Sequence, residues 1–209
     1  MSKSMQHWNG AQMCVIDIET TGLDPYWHEI IQICILPLDS NIQVRKDVLP
    51  FYIEMIPQNP ERASRKAMEI NNLRFCEIAK RGHDPEKAKD MLQEWIKKLG
   101  LPMTKYGTAK KIIPLGQNYA FDMSFIKHWL GVDLYDECFD YHYADTMIAA
   151  IYQNDRAAFH AETVPFSKVG LQYLSSTLGV HRDKSHDALQ DCLATAEVYR
   201  RMISRGVMG

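Results

Sequence analysis

The tightest constraint in this sequence is a short apolar run that ends in two carboxylates. Met13-Cys14-Val15-Ile16-Asp17 contains β-branched residues, is bounded by polar residues and then Gly22, and reads as a buried strand. Ile18-Glu19 follows at once. Side chains two apart on a strand point to the same face, so Asp17 and Glu19 are expected side by side. Two adjacent carboxylates repel each other unless a cation neutralises them. A strand-end D-x-E therefore suits a hard divalent ion with oxygen ligands, Mg²⁺ or Mn²⁺. An exposed acidic pair without metal is the plainer reading. The Thr20-Thr21-Gly22-Leu23 turn that follows supplies hydroxyls, one apolar side chain and a glycine whose backbone can approach a ligand closely.

The remaining pattern predicts what covers this strand. Residues 29–38 and the stretch around 48–56 read as two more strands, with prolines at edges or breaks, which predicts a first three-stranded meander. Asp84 as N-cap and Pro85 at the first position open a helix over 85–99. Ala88, Met91, Leu92, Trp95 and Leu99 fall at helical spacing, and Gly100 ends the run. Residues 111–118 return as a strand, and Phe121, Phe125 and Trp129 line one face of a helix stopped near Gly131. Further helices are expected after Asp145, over about 168–178, and from Ser185 or His186. The last would bury Ala188, Cys192, Ala196, Tyr199 and Ile203. Strands first, then helices alternating with strands, give an α/β chain with a mixed central sheet flanked by helices. No linker interrupts it, so residues 13–209 are expected to form one domain after a tail over 1–12.

Composition removes several classes. No apolar run approaches the ~20 residues of a membrane helix, and the first residues lack the apolar core of an export signal. Cys14, Cys34, Cys76, Cys138 and Cys192 are scattered and never form C-x-x-C. That argues against a zinc site or a disulfide framework and fits a reducing, cytoplasmic setting. A net charge of −2 argues by itself against a polyanionic partner, but the charge is segregated. Residues 61–111 hold 13 Lys/Arg against 7 Asp/Glu, while 131–163 hold one Arg against seven acids. These are either solvated faces or a basic flank beside an acidic cation site.

Two more acidic motifs follow. In Asn118-Tyr119-Ala120-Phe121-Asp122, Asp122 falls in the first helical turn, where the helix dipole alone favours an acid. In His186-Asp187-Ala188-Leu189-Gln190-Asp191, positions five apart differ by ~140° around a helix. His186 and Asp191 can converge only if His186 precedes the helix. An imidazole there suits a mobile base, since the unperturbed side chain titrates near ~6.5; an exposed loop histidine is the alternative. Asp187 shares a helical face with Asp191, so it is either a rival ligand or a first-turn acid.

In this order and setting, D-x-E-T-T-G, N-x-x-F-D and H-x-A-x-x-D resemble the three motifs of the DEDDh (DnaQ-like) 3′–5′ exonucleases, over about residues 13–204. The resemblance implies an RNase H-like fold. It implies that Asp17, Glu19, Asp122 and Asp191 bind two divalent ions, Mg²⁺ or Mn²⁺, with His186 as general base. It further implies that Thr20, Gly22 and Leu23 hold the terminal nucleotide, that Met68, Asn71 and Asn72 belong to the segment covering it, and that Asn118 and Phe121 contact substrate. Gln32 departs from relatives that carry an acid in the second strand, but the four-acid set is intact. The implied reaction is two-metal hydrolysis of the terminal phosphodiester of a single strand, DNA favoured, to 5′-mononucleotides.

An oligoribonuclease or RNase T-like RNA-trimming enzyme shares these motifs, and Gly22-Leu23-Asp24-Pro25 is reminiscent of oligoribonucleases. A catalytically silent nucleic-acid-binding module and a hydrolase of small nucleotides are readings of other kinds. Expected partners are the 3′ ends of single-stranded DNA or RNA, with a polymerase or a second copy of the chain open and no membrane. Arg62, Arg65, Lys66, Lys105, Lys110 and Lys111 are candidates to track a strand's backbone. Tyr26, Trp27 and Tyr106 either stack on bases or pack in the core.

Overall fold

The computed structural model of the chain describes residues 10–71, 73–182 and 186–204. Strand β1 (Met13–Thr20) runs three residues past the expected end, so Glu19 lies on the strand itself. β2 (Ile30–Pro37) and β3 (Phe51–Glu54) complete the antiparallel meander. A 3-10 turn (Pro60–Arg62) leads into two short helices, α1 (Arg65–Asn71) and α2 (Phe75–Arg81). Then come α3 (Pro85–Leu99), β4 (Ile113–Gly116), α4 (Tyr119–Leu130), α5 (Val132–Cys138) and β5 (Ala144–Asp145). The chain continues through α6 (Thr146–Phe159), α7 (Leu171–Leu178) and α8 (Ala188–Ser204). The sheet order is β3-β2-β1-β4-β5, with β4 and β5 parallel to β1 and in line. This is the mixed sheet that the element order predicts.

Period-two alternation on β1 sorts the two layers. Cys14, Ile16 and Ile18 face a core shared with Leu92, Leu99, Tyr119, Phe125 and Tyr135, which brings in α3, α4 and α5. Met13 and Val15 face Ala188, Cys192 and Ala196 of α8 on the other side. Asp17 and Glu19 continue this second face, so the apolar register that fixes α8 on the sheet also fixes where the two acids point. A third cluster joins Ala150, Leu174 and Leu178 to Ala194, Val198 and Met202.

α8 is thus wedged between the sheet and α6 and α7, and it buries two stripes instead of one. That corrects the expected stripe at its end: Ile203 is exposed, and Val198 and Met202 are buried in its place. α8 begins at Ala188, after His186. Lys184, Ser185, Asn72 and the first nine residues of the expected tail lie outside the described residues. Ala11 and Gln12, placed in that tail, are buried, and Gln12 Nε2 donates to the Leu38 carbonyl at 2.8 Å.

α3 has the expected ends: the Asp84 side chain accepts from the amides of Glu86 and Lys87, and Gly100 adopts φ 68°. No helix among the described residues is long and apolar enough to cross a membrane.

Candidate active site

The acidic end of β1 is closed by the first turns of two helices. Glu19 is buried opposite Gln32 of β2. Burial pushes the Glu19 carboxyl up to about 8, Asp191 and Asp187 add repulsion, and Arg182 opposes it. Asp17 is held well above the carboxylate range by burial first, then by the charges of Asp122, Asp191 and Glu19. Asp122, buried in the first turn of α4, accepts through Oδ1 from the backbone N–H of Ile18 at 3.0 Å. Ile18 lies between the two β1 acids, so this bond fixes the third carboxylate beside the first two. Burial raises the Asp122 pKa, while its bonds to backbone amides pull the other way.

The start of α4 is set by two local features and one distant carboxylate. Asn118 turns the chain at φ 62°. A Cβ at Gly116 would come within 2.8 Å of the Tyr119 Cβ, so only glycine permits this close turn. Asp145, buried at the end of β5, accepts from the amides of Asn118 (3.2 Å) and Tyr119 (2.7 Å). It also accepts from Met147 (2.7 Å) and Ile148 (3.3 Å) at the start of α6. One carboxylate therefore caps two helices and sets where Asp122 sits.

From the other side, α8 delivers Asp191 in its first turn, and His186 stands before the helix at φ 62°. The ligand atoms of Glu19, His186 and Asp191 all lie within 4.8 Å of one another. Asp187 is occupied differently: its Oδ1 accepts from the Gln190 amide at 3.1 Å and its Oδ2 from the Tyr52 hydroxyl at 2.9 Å. It stands one residue before α8, caps its first turn and ties the helix to β3. Gln32 completes this brace, donating to the Tyr52 oxygen at 3.0 Å and accepting from the Ala188 amide at 2.8 Å. An acid at position 32 would face Glu19 directly, so the amide spares the cluster a fifth carboxylate.

One participant had no motif to reveal it. Arg182 donates through Nε to Asp191 Oδ1 at 2.8 Å and through Nη2 to both Asp191 oxygens. Its Nη1 donates to Gln172 Oε1 of α7 at 3.1 Å. Each side chain of the Arg182–Asp191 pair is only 9% exposed. Tyr52 and Asp145 were also missed as site supports. An Asp-Thr step before a helix is a capping signal, but nothing in it tells that Asp145 caps α4 as well.

The residues expected on the substrate side form a linked loop. Thr20 Oγ1 donates to the Gly22 carbonyl at 2.6 Å. The Thr21 amide donates to the Glu29 carbonyl, and the Glu29 amide donates back to Thr21 Oγ1, each at 2.9 Å. A Cβ at Gly22 would lie 2.1 Å from the His28 ring, which explains the glycine. Leu23 stands 82% exposed beside it. Asn71 Nδ2 donates to the Thr20 carbonyl at 2.8 Å, and the Ser64 amide donates to the Thr21 carbonyl at 2.7 Å. These bonds hold α1, with the half-buried Met68, against the loop. Phe121 is half-buried on α4, its ring 5.0 Å from that of Phe125.

The basic segment divides in two. Arg62, Arg65 and Lys66 adjoin the Thr20–Leu23 loop, where Arg62 lies over the Trp27 ring at 4.5 Å and Arg65 pairs with Glu69. Lys105, Lys110 and Lys111 precede β4, whose Ile113 pairs with Met13 at the start of β1, so they sit at the opposite end of the sheet from Glu19. Tyr26 and Tyr106 are each 81% exposed and Trp27 is 53% exposed, which removes core packing as their use.

Four carboxylates and one imidazole at a strand end form a hard donor set that fits Mg²⁺ or Mn²⁺. The fit rests on their convergence, with the ligand atoms of Glu19, His186 and Asp191 within 4.8 Å of one another, and on carboxyls raised by burial first and by their neighbours second.

The family model described as Exonuclease matches residues 14–199. No curated protein matches the sequence. Among solved structures, the zinc-bound complex of E. coli exonuclease I with single-stranded DNA superposes with a TM-score of 0.73 at 18% identity, over 93% of this chain and 41% of that one. Exonuclease I from the moderately thermophilic Methylocaldum szegediense gives 0.68 at 20% identity, over 94% and 41%. Cell-death related nuclease 4 gives 0.70 at 16% identity, over 93% and 64%. The chain thus spans less than half the length of exonuclease I, and at these identities the likeness speaks for the RNase H-like fold.

Proposed function

We infer the activity from one premise: the chain belongs to the exonuclease family. It hydrolyses the terminal phosphodiester of a single strand from the 3′ end and releases 5′-mononucleotides, with DNA as the favoured substrate. The observation that carries this reading is the convergence of Glu19, His186 and Asp191, with ligand atoms within 4.8 Å of one another, at the strand end that also bears Asp17. The single-stranded DNA in the exonuclease I complexes supports the choice of substrate.

Asp17, Glu19, Asp122 and Asp191 hold two divalent ions, Mg²⁺ or Mn²⁺. When bound, such ions supply charge that activates a water and steadies the leaving 3′ oxygen. His186 takes the proton of the attacking water from its place ahead of α8, beside Glu19 and Asp191. The exposed Leu23 packs on the terminal base, and Thr20 and Gly22 present the loop backbone to the nucleotide. Met68 and Asn71 cover the nucleotide from α1, while Asn118 and Phe121 border it from the start of α4. The free cysteines fit a cytoplasmic setting.

The test is digestion of matched 3′-labelled and 5′-labelled DNA and RNA oligonucleotides with Mn²⁺ or Mg²⁺. Stepwise loss from the 3′ end, absent in chelator and in Asp17→Ala, is the expected result. Faster loss on RNA would assign the chain to RNA trimming instead. Binding without cleavage by the unaltered protein would make it a silent binding module.

A further inference from the structure

The guanidinium of Arg182 occupies the carboxylate of Asp191, one of the four acids assigned to the metals. Asp191 gives both carboxylate oxygens to it, in a fork that is almost closed to solvent. A buried ion pair repays its desolvation only with such geometry, and so would be placed sparingly. Here it engages a carboxylate that also lies within 4.8 Å of Glu19 and His186. Gln172 holds the remaining side of the guanidinium from α7, so the group has an anchor that does not depend on Asp191. Charge balance points the same way. Four carboxylates offset two dications, and the cation left over is Arg182, one charge against the single negative charge of a phosphodiester. A planar fork that fits a carboxylate fits a phosphate equally well.

We propose that Arg182 is the resident counter-cation of the acidic cluster: it holds Asp191 while no metal is present, yields that carboxylate to the incoming metal, and then, still anchored by Gln172, binds the phosphate of the substrate. The inference rests on the exonuclease reading and adds to it a residue that belongs to none of the three motifs. It makes Arg182 an opponent of metal binding in the free protein and a supporter of nucleotide binding in the loaded one.

Calorimetric titration with Mn²⁺ in the absence of nucleic acid separates these roles. Arg182→Met is expected to bind Mn²⁺ about tenfold tighter than the parent, the change that one charge-assisted contact is worth. Arg182→Lys, which keeps the charge without the fork, falls between the two. In saturating Mn²⁺, a 5′-mononucleotide should bind Arg182→Met about tenfold more weakly, with Lys restoring part of the loss. Unchanged or weaker Mn²⁺ affinity in both variants overturns the competition, and unchanged nucleotide affinity overturns the phosphate role. If Arg182→Met does not fold, the Lys variant decides on the same two readouts. Failure of the parent itself to bind Mn²⁺ would overturn the metal reading of the whole site, an outcome distinct from binding that the variants leave unaltered.

Discussion

Two buried acidic sites lie within a few residues of each other in this fold and are built on opposite principles. Asp145 is one carboxylate surrounded by four backbone N–H groups from the starts of α4 and α6. The cluster at the end of β1 holds Asp17, Glu19, Asp122 and Asp191, and its only cation within hydrogen-bond reach among the described residues is Arg182. Burial raises Asp17, Glu19 and Asp122, the neighbouring acids add to the rise at Asp17 and Glu19, and Arg182 answers Asp191 alone by hydrogen bonds. The first site has its charge answered by the protein; the second leaves its charge to be answered from outside. A satisfied carboxylate supports structure, and an unsatisfied one marks a place for a ligand.

Neutralising one acid in each site should therefore have opposite effects on stability. Asp17→Asn is expected to remove cleavage, by about 10²–10³-fold or more, while raising the thermal midpoint of the metal-free protein because a carboxyl whose charged form is penalised by burial, and further by its neighbours, is gone. Asp145→Ala should lower that midpoint, since the loss of caps on two helices costs about 1–4 kcal/mol, at ~2–4 °C per kcal/mol. Thermal unfolding in chelator, followed by circular dichroism, measures both. A midpoint that falls in Asp17→Asn would break the contrast.

Acidity sharpens it. The folded-state pKa of Glu19 lies above the ordinary glutamate value of 4.5, at about 8. The metal-free fold is therefore favoured with this group protonated. That contribution is complete below 4.5 and is lost as pH rises through about 8. The midpoint in chelator should fall across this window, and Mn²⁺ should flatten the dependence. The smallest effect belongs to Gln32→Glu, which puts a fifth acid opposite Glu19 and removes the donor to Tyr52. A loss of about 2–4 °C in chelator is expected, largely restored by Mn²⁺; the same loss with metal present would mean that the amide matters only for the brace.

Much of this was legible in the chain. Strand periodicity places Asp17 and Glu19 on one face, and the angular mismatch between positions 186 and 191 requires His186 to precede α8, where it stands. The ends of α3 followed from Asp84, Pro85 and Gly100. What was missed lacks a local signal. β5 is two residues long, too short to show alternation, and α5 begins directly at Gly131, which reads as an end and serves as a corner at φ 81°. α1 and α2 are seven residues each and carry one buried residue apiece, so their periodicity is faint. Arg182 lies nine residues before Asp191 but at no spacing that marks a pair, and Tyr52 reaches Asp187 from 135 residues away, so only the folded chain brings them together. Lys110 and Lys111 lie away from the acids for a topological reason: a parallel neighbour of β1 begins at the end of the sheet opposite Glu19.

The crossing of distant segments also bears on biosynthesis. The acids come from positions 17, 19, 122 and 191, and the last is carried by a helix that must seat Ala188, Cys192 and Ala196 on the sheet before Asp191 reaches its neighbours. A chain emerging from the ribosome exposes the first two acids early, yet the site cannot close until α8 has left the exit tunnel and docked. Domains fold as units during synthesis at roughly 5–20 residues per second. A nascent chain that stops short of α8 therefore carries most of the site's charge and none of its closure, and lacks the convergence on which the proposed activity rests.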